Sequence, residues 1–518
     1  MKKQIEITVR PEEINLPEIL LFKSASILKI DKEKISAVIP EKKSIDARSK
    51  FPVFRYLIDV YVDEKPEETP QRIFYKPVKS DKKVIVIGFG PAGMFAALRL
   101  IELGIKPIVI ERGKDVQSRR RDIRAIQQEH LINPDSNYCF GEGGAGAYSD
   151  GKLYTRSTKR GDVKRILSIL VQHGASEEIL IDTHPHIGSN RLPKIVAAIR
   201  ETLLNNGGEI KFNSKVTDFI LKDNKLVGVN VNNELDVFAD AVILATGHSA
   251  RDIFYLLHKK EIQIEPKPFA MGVRIEHPQA LINEIQYHTK VKHENLPAAS
   301  YSLACNIDRR GVYSFCMCPG GIIVPSATAS EEIVVNGMSV SKRNSPFANS
   351  GFVVEVTEKE WQKYSADYPF SGLNLQMELE RNAYRLANKT QSAPAQRVTD
   401  FVNGKFSSTL PKSSYIPGLT SAELNKELPK FITSRLINSF KVFDKKMHGY
   451  YSEDAVLVGV ESRTSSPIRI PRVKDTMMHP QISGLFPSGE GSGYAGGIVS
   501  ASIDGENSAD SVAKFLNN

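Results

Sequence analysis

The chain has 518 residues, 41% hydrophobic and 25% charged, a composition suited to a globular protein of two or three domains at roughly 150 residues each. Four cysteines at irregular spacing exclude a disulfide scaffold and point to a reducing compartment. The formal charge of +9 leaves two readings open, a solvated basic surface or a groove for a polyanion, and the mild cluster at Arg119, Arg120 and Arg121 fits either.

The opening MKKQIEITVRPEE has two lysines and no apolar run behind them, so it does not read as a signal peptide. IEITV alternates and predicts a strand. PEILLFKSASILKI has helical spacing, with Pro17 suited to a first turn. KISAVIPEKKSIDAR and FPVFRYLIDVYV predict two more strands. Residues 1–80 therefore read as a small βαββ α+β domain, and DEKPEETPQ as the linker that follows.

KKVIVIG is a continuous β-branched run, the pattern of a strand buried on both faces of a parallel sheet. The apolar stretch VIVIGFGPAGMFAALRLIELG is broken by glycines, Pro91 and Arg99, so it reads as strand–turn–helix and not as a membrane span. KPIVIE predicts the next strand. A helix is expected over residues 192–205, then strands in EIKFNSKVTDFILKDNKLVGVNVN and a buried strand in DAVILATG. Residues 276–478 lose this alternation. SYSLACNI, GVYSFCMC, EIVVNGMSV and GFVVEV read as strands, with one good helix around residues 375–388, and the segment reads as an inserted α+β domain. Residues 479–518 resume the α/β pattern, with a strand end, a glycine-rich turn and a last helix. No repeat or low-complexity tract interrupts the chain.

Gly88, Gly90 and Gly93 form a GxGxxG between a strand and a helix. The first glycine permits the tight turn, the second lets backbone approach a pyrophosphate, and the third lets helix and strand pack closely. The helix N-terminus offers free N–H groups to phosphate. Glu111 ends the next strand, where an acid accepts hydrogen bonds from a ribose diol. Ala245, Thr246 and Gly247 close another buried strand. GEGSGYAGG, from Gly489 to Gly497, opens the last helix, and a simple NAD domain has no need of it. Its helix N-terminus would stabilise negative charge on a reduced flavin. FGEGGAGAYSDGKL, residues 140–153, would let backbone lie against a flat ring. These features favour FAD over NAD.

Together with SIDAR, ERG, HPHIGSNRL, ATGHSARD, YSFCMCPGG, SAPAQRVTDF, VESRTSSPIRI and GLFPSGEGSGYAGGI, these motifs resemble the bacterial FAD-dependent oxidoreductases known as NAD(FAD)-utilising dehydrogenases, over nearly the whole chain. The resemblance implies an α/β fold with a Rossmann-like, glutathione-reductase-type FAD-binding domain in two segments, residues 81–275 and 479–518. A substrate or cap domain is inserted at 276–478, with the appendage at 1–80. Carried over, Gly88, Gly90, Pro91, Ala92 and Gly93 hold the pyrophosphate, Glu111 with Arg112 the adenosine ribose, and Val216 lies near the adenine. Gly143, Gly144, Ala145, Ser149, Lys152, Ala245, Thr246, Gly247, Gly489, Glu490, Gly496, Gly497 and Ile498 complete the expected cofactor contacts. Glu490 stands where many related flavoproteins have Asp, which leaves its contact open.

No second GxGxxG follows a strand, so NAD(P)H would have to bind transiently across the inserted domain. Another protein or the substrate itself is an open alternative as electron donor. Arg463, followed by Thr-Ser-Ser-Pro, and Arg469 could orient an anionic substrate or form a structural turn. His248 follows ATG and is a candidate general acid. His184 and His186 lack further ligands at matching spacing, so no metal site is expected. The AYRLANKTQ helix and Gln396-Arg397 read as packing and surface.

In YSFCMCPGG, residues 313–321, strand alternation would put Cys316 and Cys318 on one face with Ser314. Their Cα atoms would then be roughly 6.6–7 Å apart, at the long end of disulfide geometry. A bond would need a kink, which the following Pro-Gly-Gly would permit. Substrate shaping and thiol redox chemistry both remain open. The expected function is an FAD-dependent oxidoreductase or dehydrogenase that transfers a hydride to or from a small organic substrate in the cytoplasm. One alternative is an RNA- or protein-binding flavoprotein acting through its basic N-terminal module. The other is a dithiol–disulfide reductase using Cys316 and Cys318. Oligomeric state stays open.

Overall fold

The computed structural model describes residues 1–66, 72–155, 159–363 and 367–517, so the end of the expected linker, residues 67–71, lies outside the described residues. The N-terminal module is the expected βαββ unit. Strands Lys2–Val9 and Ile35–Asp46 flank Val53–Val62 in an antiparallel sheet. Its helix, Ile19–Leu28, starts later than expected: the chain turns through Glu18 at φ 58, which leaves Pro17 in the preceding turn. The module does not close a core of its own. Ile7, Val9, Phe54, Ile58 and Val60 belong to the same buried cluster as Val273, Ile275, Val354 and Val456 of the inserted sheet.

The central sheet is parallel throughout. Its strand order is Leu485–Pro487, Ala241–Leu244, Lys83–Ile87, Lys106–Ile110, Glu209–Lys211. The C-terminal segment thus returns as an edge strand beside Ala241–Leu244, and this makes the Rossmann-like domain a two-segment one. Strand Lys83–Ile87 is buried from Val84 to Ile87, which explains its unbroken β-branched run. Helix Ile498–Asn517 lies on helix Pro91–Glu102, so close that a Cβ on Gly505 would sit 2.1 Å from Ala92 O.

The inserted region forms a seven-stranded sheet. The order is Ala304–Ile307, Arg310–Cys318, Phe347–Val356, Phe269–Pro278, Val456–Glu461, Ala393–Arg397, Leu419–Ser421. Strand Phe269–Pro278 pairs along its whole length with Phe347–Val356, so this sheet takes in residues before 276. Helix Ser371–Leu386 matches the expected one. A second long helix, Lys430–Lys446, stands where the sequence reading places none. Its Ile432, Leu436, Phe440 and Phe443 are buried, an i, i+4, i+8, i+11 stripe that the sequence does carry. Among the described residues no helix is long and apolar enough to cross a membrane.

His277 lies in this core with no exposed surface. Its Nε2 is 2.8 Å from Tyr450 O, and among the described residues its Nδ1 has no partner. Nε2 therefore carries the proton, and a second proton on Nδ1 would find no acceptor. Burial accordingly lowers its pKa from 6.5 to about 4. The unfolded chain takes up this proton first, so the contribution is fully present above pH 6.5 and is lost as pH falls towards 4. That loss is worth about 3 kcal/mol. His277→Gln keeps a donor but cannot titrate, so melting temperature measured between pH 6.5 and 4 should fall less steeply in the variant.

Candidate functional site: a glycine-lined cradle beside a thiol pair

Four separate stretches meet at the carboxyl ends of the parallel strands. After strand Lys83–Ile87 the chain turns at Gly88, φ +96, where a Cβ would stand 2.5 Å from Ala245 O. Gly90 caps helix Pro91–Glu102, with Pro91 in its first turn and no side chain bonded to its N-terminus. The first-turn N–H groups are thereby left to a ligand. Gly93 is where helix meets strand: its Cβ would lie 1.9 Å from Gly88 O. Gly143 donates its N–H to Phe89 O at 2.8 Å, and Gly144 lies against Gly90. Ala145 is exposed at the tip of this loop. Ser149 Oγ donates to Gly146 O at 2.8 Å, which tightens the turn.

The far wall comes from two more loops. Thr246 is half-buried between Ala245 and Gly247, and a Cβ on Gly247 would meet nothing within 4 Å. The same holds at Gly496 and Gly497, both exposed at the start of helix Ile498–Asn517. Ile498 turns towards Gly146. Gly489 packs on Ala92, and its N–H donates to Asp504 Oδ2 at 2.7 Å. Asp504 is held by both terminal nitrogens of Arg472.

Glu111 is buried, and its carboxylate binds backbone. Oε2 accepts from Phe89 N at 2.8 Å, and Oε1 accepts from Gly113 N and Gly141 N at 2.9 Å each. Of about four lone-pair positions, three hold the loops together. Arg112 lies over the Phe140 ring at 4.4 Å and pairs with Asp252 at 2.7 Å. Val216 is buried at the start of its strand.

Sequence reasoning missed the residue that freezes the glycine-rich loop. Arg119, expected as part of a basic cluster, has no exposed surface. It donates to the carbonyls of Asn137, Tyr138, Glu142 and Gly144. Nothing in RRR separates this buried arginine from its two neighbours, because only the loop's return past the helix supplies the four acceptors.

Below the cradle lies a cluster that the sequence scatters over several segments. Lys152, expected at the cofactor, directs Nζ to Cys316 Sγ at 3.6 Å and Cys318 Sγ at 3.7 Å, with Asp150 at 3.9 Å. The expected strand alternation breaks here: a bulge falls between Phe315 and Cys318, and Cys316 takes φ 46. The kink is thus at Cys316 itself and not at the downstream Pro-Gly-Gly. Cys316 is exposed and Cys318 buried, both as free cysteines. Arg274, fully buried, donates to Cys316 O at 2.9 Å and Glu461 Oε2 at 2.8 Å, and its Nη2 is 3.6 Å from Cys318 Sγ. A hydrogen bond from Cys318, and then the charges of Lys152 and Arg274, hold the Cys316 thiol well below its ordinary range. Burial pushes Glu461 up to about 7 despite Arg274. Glu490, half-buried, is likewise pushed up to about 7 by burial despite Lys267, with Cys316 adding to the rise.

Other expected site groups play different parts. All five N–H donors of Arg463 are engaged: Nε with Glu380, Nη1 with Ser249 and Thr328, Nη2 with Glu332 and Glu380. It has none left for an anionic substrate and forms a structural hub. Arg469 remains exposed. His248 has Nε2 3.9 Å from Glu490 Oε1, and burial, with Arg463 and Arg251 nearby, lowers its pKa to about 4. At neutral pH it has no extra proton to give as a general acid. His186 Nε2 lies 3.1 Å from Ser341 O, and the ring of His184 lies against Tyr154.

Residues 268–464 match the family described as FAD-dependent protein, C-terminal domain-like, and residues 1–61 match a domain of unknown function. An uncharacterised protein of Clostridium beijerinckii is 39% identical over 525 residues, covering 96% of this chain and 97% of its own. The chain belongs to this family of FAD-dependent proteins. Thiamine thiazole synthase of Aeropyrum pernix is 26% identical over 194 residues, 34% of this flavoprotein and 59% of the synthase. A geranylgeranyl bacteriochlorophyll reductase-like protein from Thermoplasma acidophilum aligns with 84% of this chain and 79% of its own, at 15% identity and TM-score 0.35.

The cradle fits FAD on its own geometry. Its walls are backbone, two helix N-termini face it, and its open glycines leave space where side chains would project.

Proposed function

We propose that this protein is an oxidoreductase that transfers a hydride between bound FAD and a small organic substrate, with NAD(P)H as a transient electron donor. The observation that carries this reading is the open backbone at Gly247, Gly496 and Gly497 together with the uncapped start of helix Pro91–Glu102, the two helix starts being joined by Gly146, which lies against both Pro91 and Ile498. In this reading Gly88, Gly90, Pro91, Ala92 and Gly93 hold the pyrophosphate. Glu111 and Arg112 lie at the adenosine ribose, and Val216 at the adenine. Gly143, Gly144, Ala145 and Ser149, together with Ala245, Thr246 and Gly247, line the middle of the cofactor. Gly489, Gly496, Gly497 and Ile498 lie at its far end, with Glu490 and Lys152 beside it. FAD supplies the two-electron chemistry when bound. The chain orients it, excludes water beneath the inserted sheet, and offers the dipole of helix Ile498–Asn517 to negative charge. The domain limits expected from the sequence, 1–80 for the appendage, 81–275 with 479–518 for FAD and 276–478 for the cap, serve this reading once the cap is begun at Phe269, where its central strand starts.

Purified protein should be yellow and release FAD on denaturation. Anaerobic NADH or NADPH should bleach the flavin within seconds, and a metabolite library should identify what reoxidises it. Colourless protein that gains no thermal stability from added FAD would refute the reading. A flavin that neither nucleotide reduces would refute the donor alone.

A further inference from the structure

Cys316 and Cys318 are arranged as a reactive pair and not as filling. The outer sulfur is exposed and the inner one buried, the order required of an attacking and a resolving thiol. Both contact one ammonium, Lys152 Nζ, and the Cys318 thiol donates to the backbone carbonyl of Cys316 at 3.4 Å. The bulge and the left-handed turn at Cys316 break the extended geometry that would hold residues two apart at the limit of disulfide reach. The glycines that follow lock this shape. A Cβ on Gly320 would stand 1.7 Å from Arg343 O, and one on Gly321 would stand 2.9 Å from Cys318 Cβ. The pair is tied to both glycine-rich segments through side chains: Lys152, at the end of the loop that holds Gly143 and Gly144, contacts both sulfurs, and the charge of Cys316 acts on Glu490, in the segment that holds Gly496.

We propose that Cys316 and Cys318 form a redox-active dithiol that carries electron pairs between the flavin and a small-molecule disulfide. This rests on the flavin reading above. The Cys316 thiolate attacks one sulfur of the substrate R–S–S–R. The substrate S–S bond breaks, a Cys316–S–S–R bond forms, and RS⁻ leaves. Cys318 then attacks Cys316 Sγ and releases the second RS⁻, its own proton going to a departing thiolate. The substrate has gained two electrons, and the protein holds a Cys316–Cys318 disulfide. Two electrons from the reduced flavin cleave that bond. The proton that leaves the flavin ends on Cys318, Cys316 remains as thiolate, and NAD(P)H restores the flavin.

The charges around Cys316 set its reactivity. Lys152 and Arg274 favour the thiolate, while Asp150, Glu461 and Glu490 oppose it. Asp150 is partly neutralised by Arg343 at 2.6 Å and by Ser339.

Two measurements on the FAD-loaded protein test this. The first is the rate of Cys316 alkylation by iodoacetamide, followed by mass spectrometry from about pH 5 to 9. Wild type should react at about pH 6.5 at least tenfold faster than an ordinary cysteine, and Lys152→Met should move the profile towards higher pH. The second is anaerobic dithionite titration after oxidation with 5,5′-dithiobis(2-nitrobenzoate). Wild type should take up four electrons per FAD and Cys316→Ser two, while Cys318→Ser is read by the adduct it holds. Cys318→Ala serves if serine at the buried position impairs folding. Cys318→Ser or Cys318→Ala should also trap the thionitrobenzoate adduct on Cys316, which wild type resolves to the internal disulfide. Bound FAD with two-electron uptake in wild type and Cys316→Ser alike overturns the relay and spares the flavin reading. Protein that takes up no FAD overturns both.

Discussion

Gly93→Ala should yield protein with little bound flavin and a markedly lower melting temperature. The added methyl would stand 1.9 Å from Gly88 O and 3.3 Å from Val86 Cγ1. The first of these is main chain in the turn that must hold the pyrophosphate, so it cannot move aside as a side-chain tip would. Either helix Pro91–Glu102 lifts off the sheet or the Gly88 turn is displaced. Overpacking of a tight contact costs about 1–3 kcal/mol, and a backbone obstacle puts this site at the upper end. Gly496→Ala is the contrasting variant. Among the described residues its methyl meets no atom within 4 Å, so the melting temperature of the apoprotein should be unchanged while FAD affinity falls. Flavin-to-protein ratio and apoprotein melting temperature, measured on both variants, separate a packing glycine from a cofactor-facing one. Equal behaviour of the two would contradict the assignment.

Glu380→Gln should lower the urea midpoint by the equivalent of about 3–5 kcal/mol. Glu380 has no exposed surface. Its Oε2 accepts from Arg251 at 2.7 Å and Arg463 at 2.8 Å, and its Oε1 from Ser462 at 2.6 Å and Arg463 Nε at 3.0 Å. Burial opposes ionisation here, but the two guanidinium groups outweigh it and hold the carboxyl well below the usual range. The amide leaves the buried Arg463 and the half-buried Arg251 with Glu332 as their remaining carboxylate among the described residues, and that carboxyl is itself pushed up by burial and by Glu380. Because the folded pKa is depressed, this contribution is present above the unfolded value near 4.5 and is lost as pH falls below it. Replacing charges together should recover stability, since a buried ion network is costly mainly when one partner is removed. Glu380→Leu with Arg463→Met should therefore lie closer to wild type than the single substitution. A single variant with an unchanged midpoint would show that the hub contributes nothing.

Local chemistry makes much of this fold legible. VIVIGFGPAG announces its strand, turn and helix because glycine alone tolerates the φ of Gly88 and the contact at Gly93, and a doubly buried strand needs an unbroken apolar run. The helix over residues 192–205 and the return of the α/β pattern in the last forty residues are legible for similar reasons, while the docking of that segment on the first sheet is implied by the family resemblance. YSFCMCPGG is not. Period-two alternation describes a regular strand, and no local pattern announces a bulge at Cys316. Arg463 stays ambiguous because an arginine among hydroxyls looks the same whether its partners are solvent, substrate or buried glutamates 131 and 83 residues away in the chain.

Read alone, the residue order dictates where a buried strand turns into a helix and that its glycines stand where backbone must approach closely, because these demands act on neighbouring residues; that two distant segments share one sheet is implied only by the family resemblance. Folding in three dimensions settles the rest: that Lys152 and Arg274 converge on Cys316 and Cys318, that Arg119 and Arg463 are internal fasteners, and that Glu111 ties three backbone amides. Charge acts through space, and its partners lie on elements that meet only when the chain is folded.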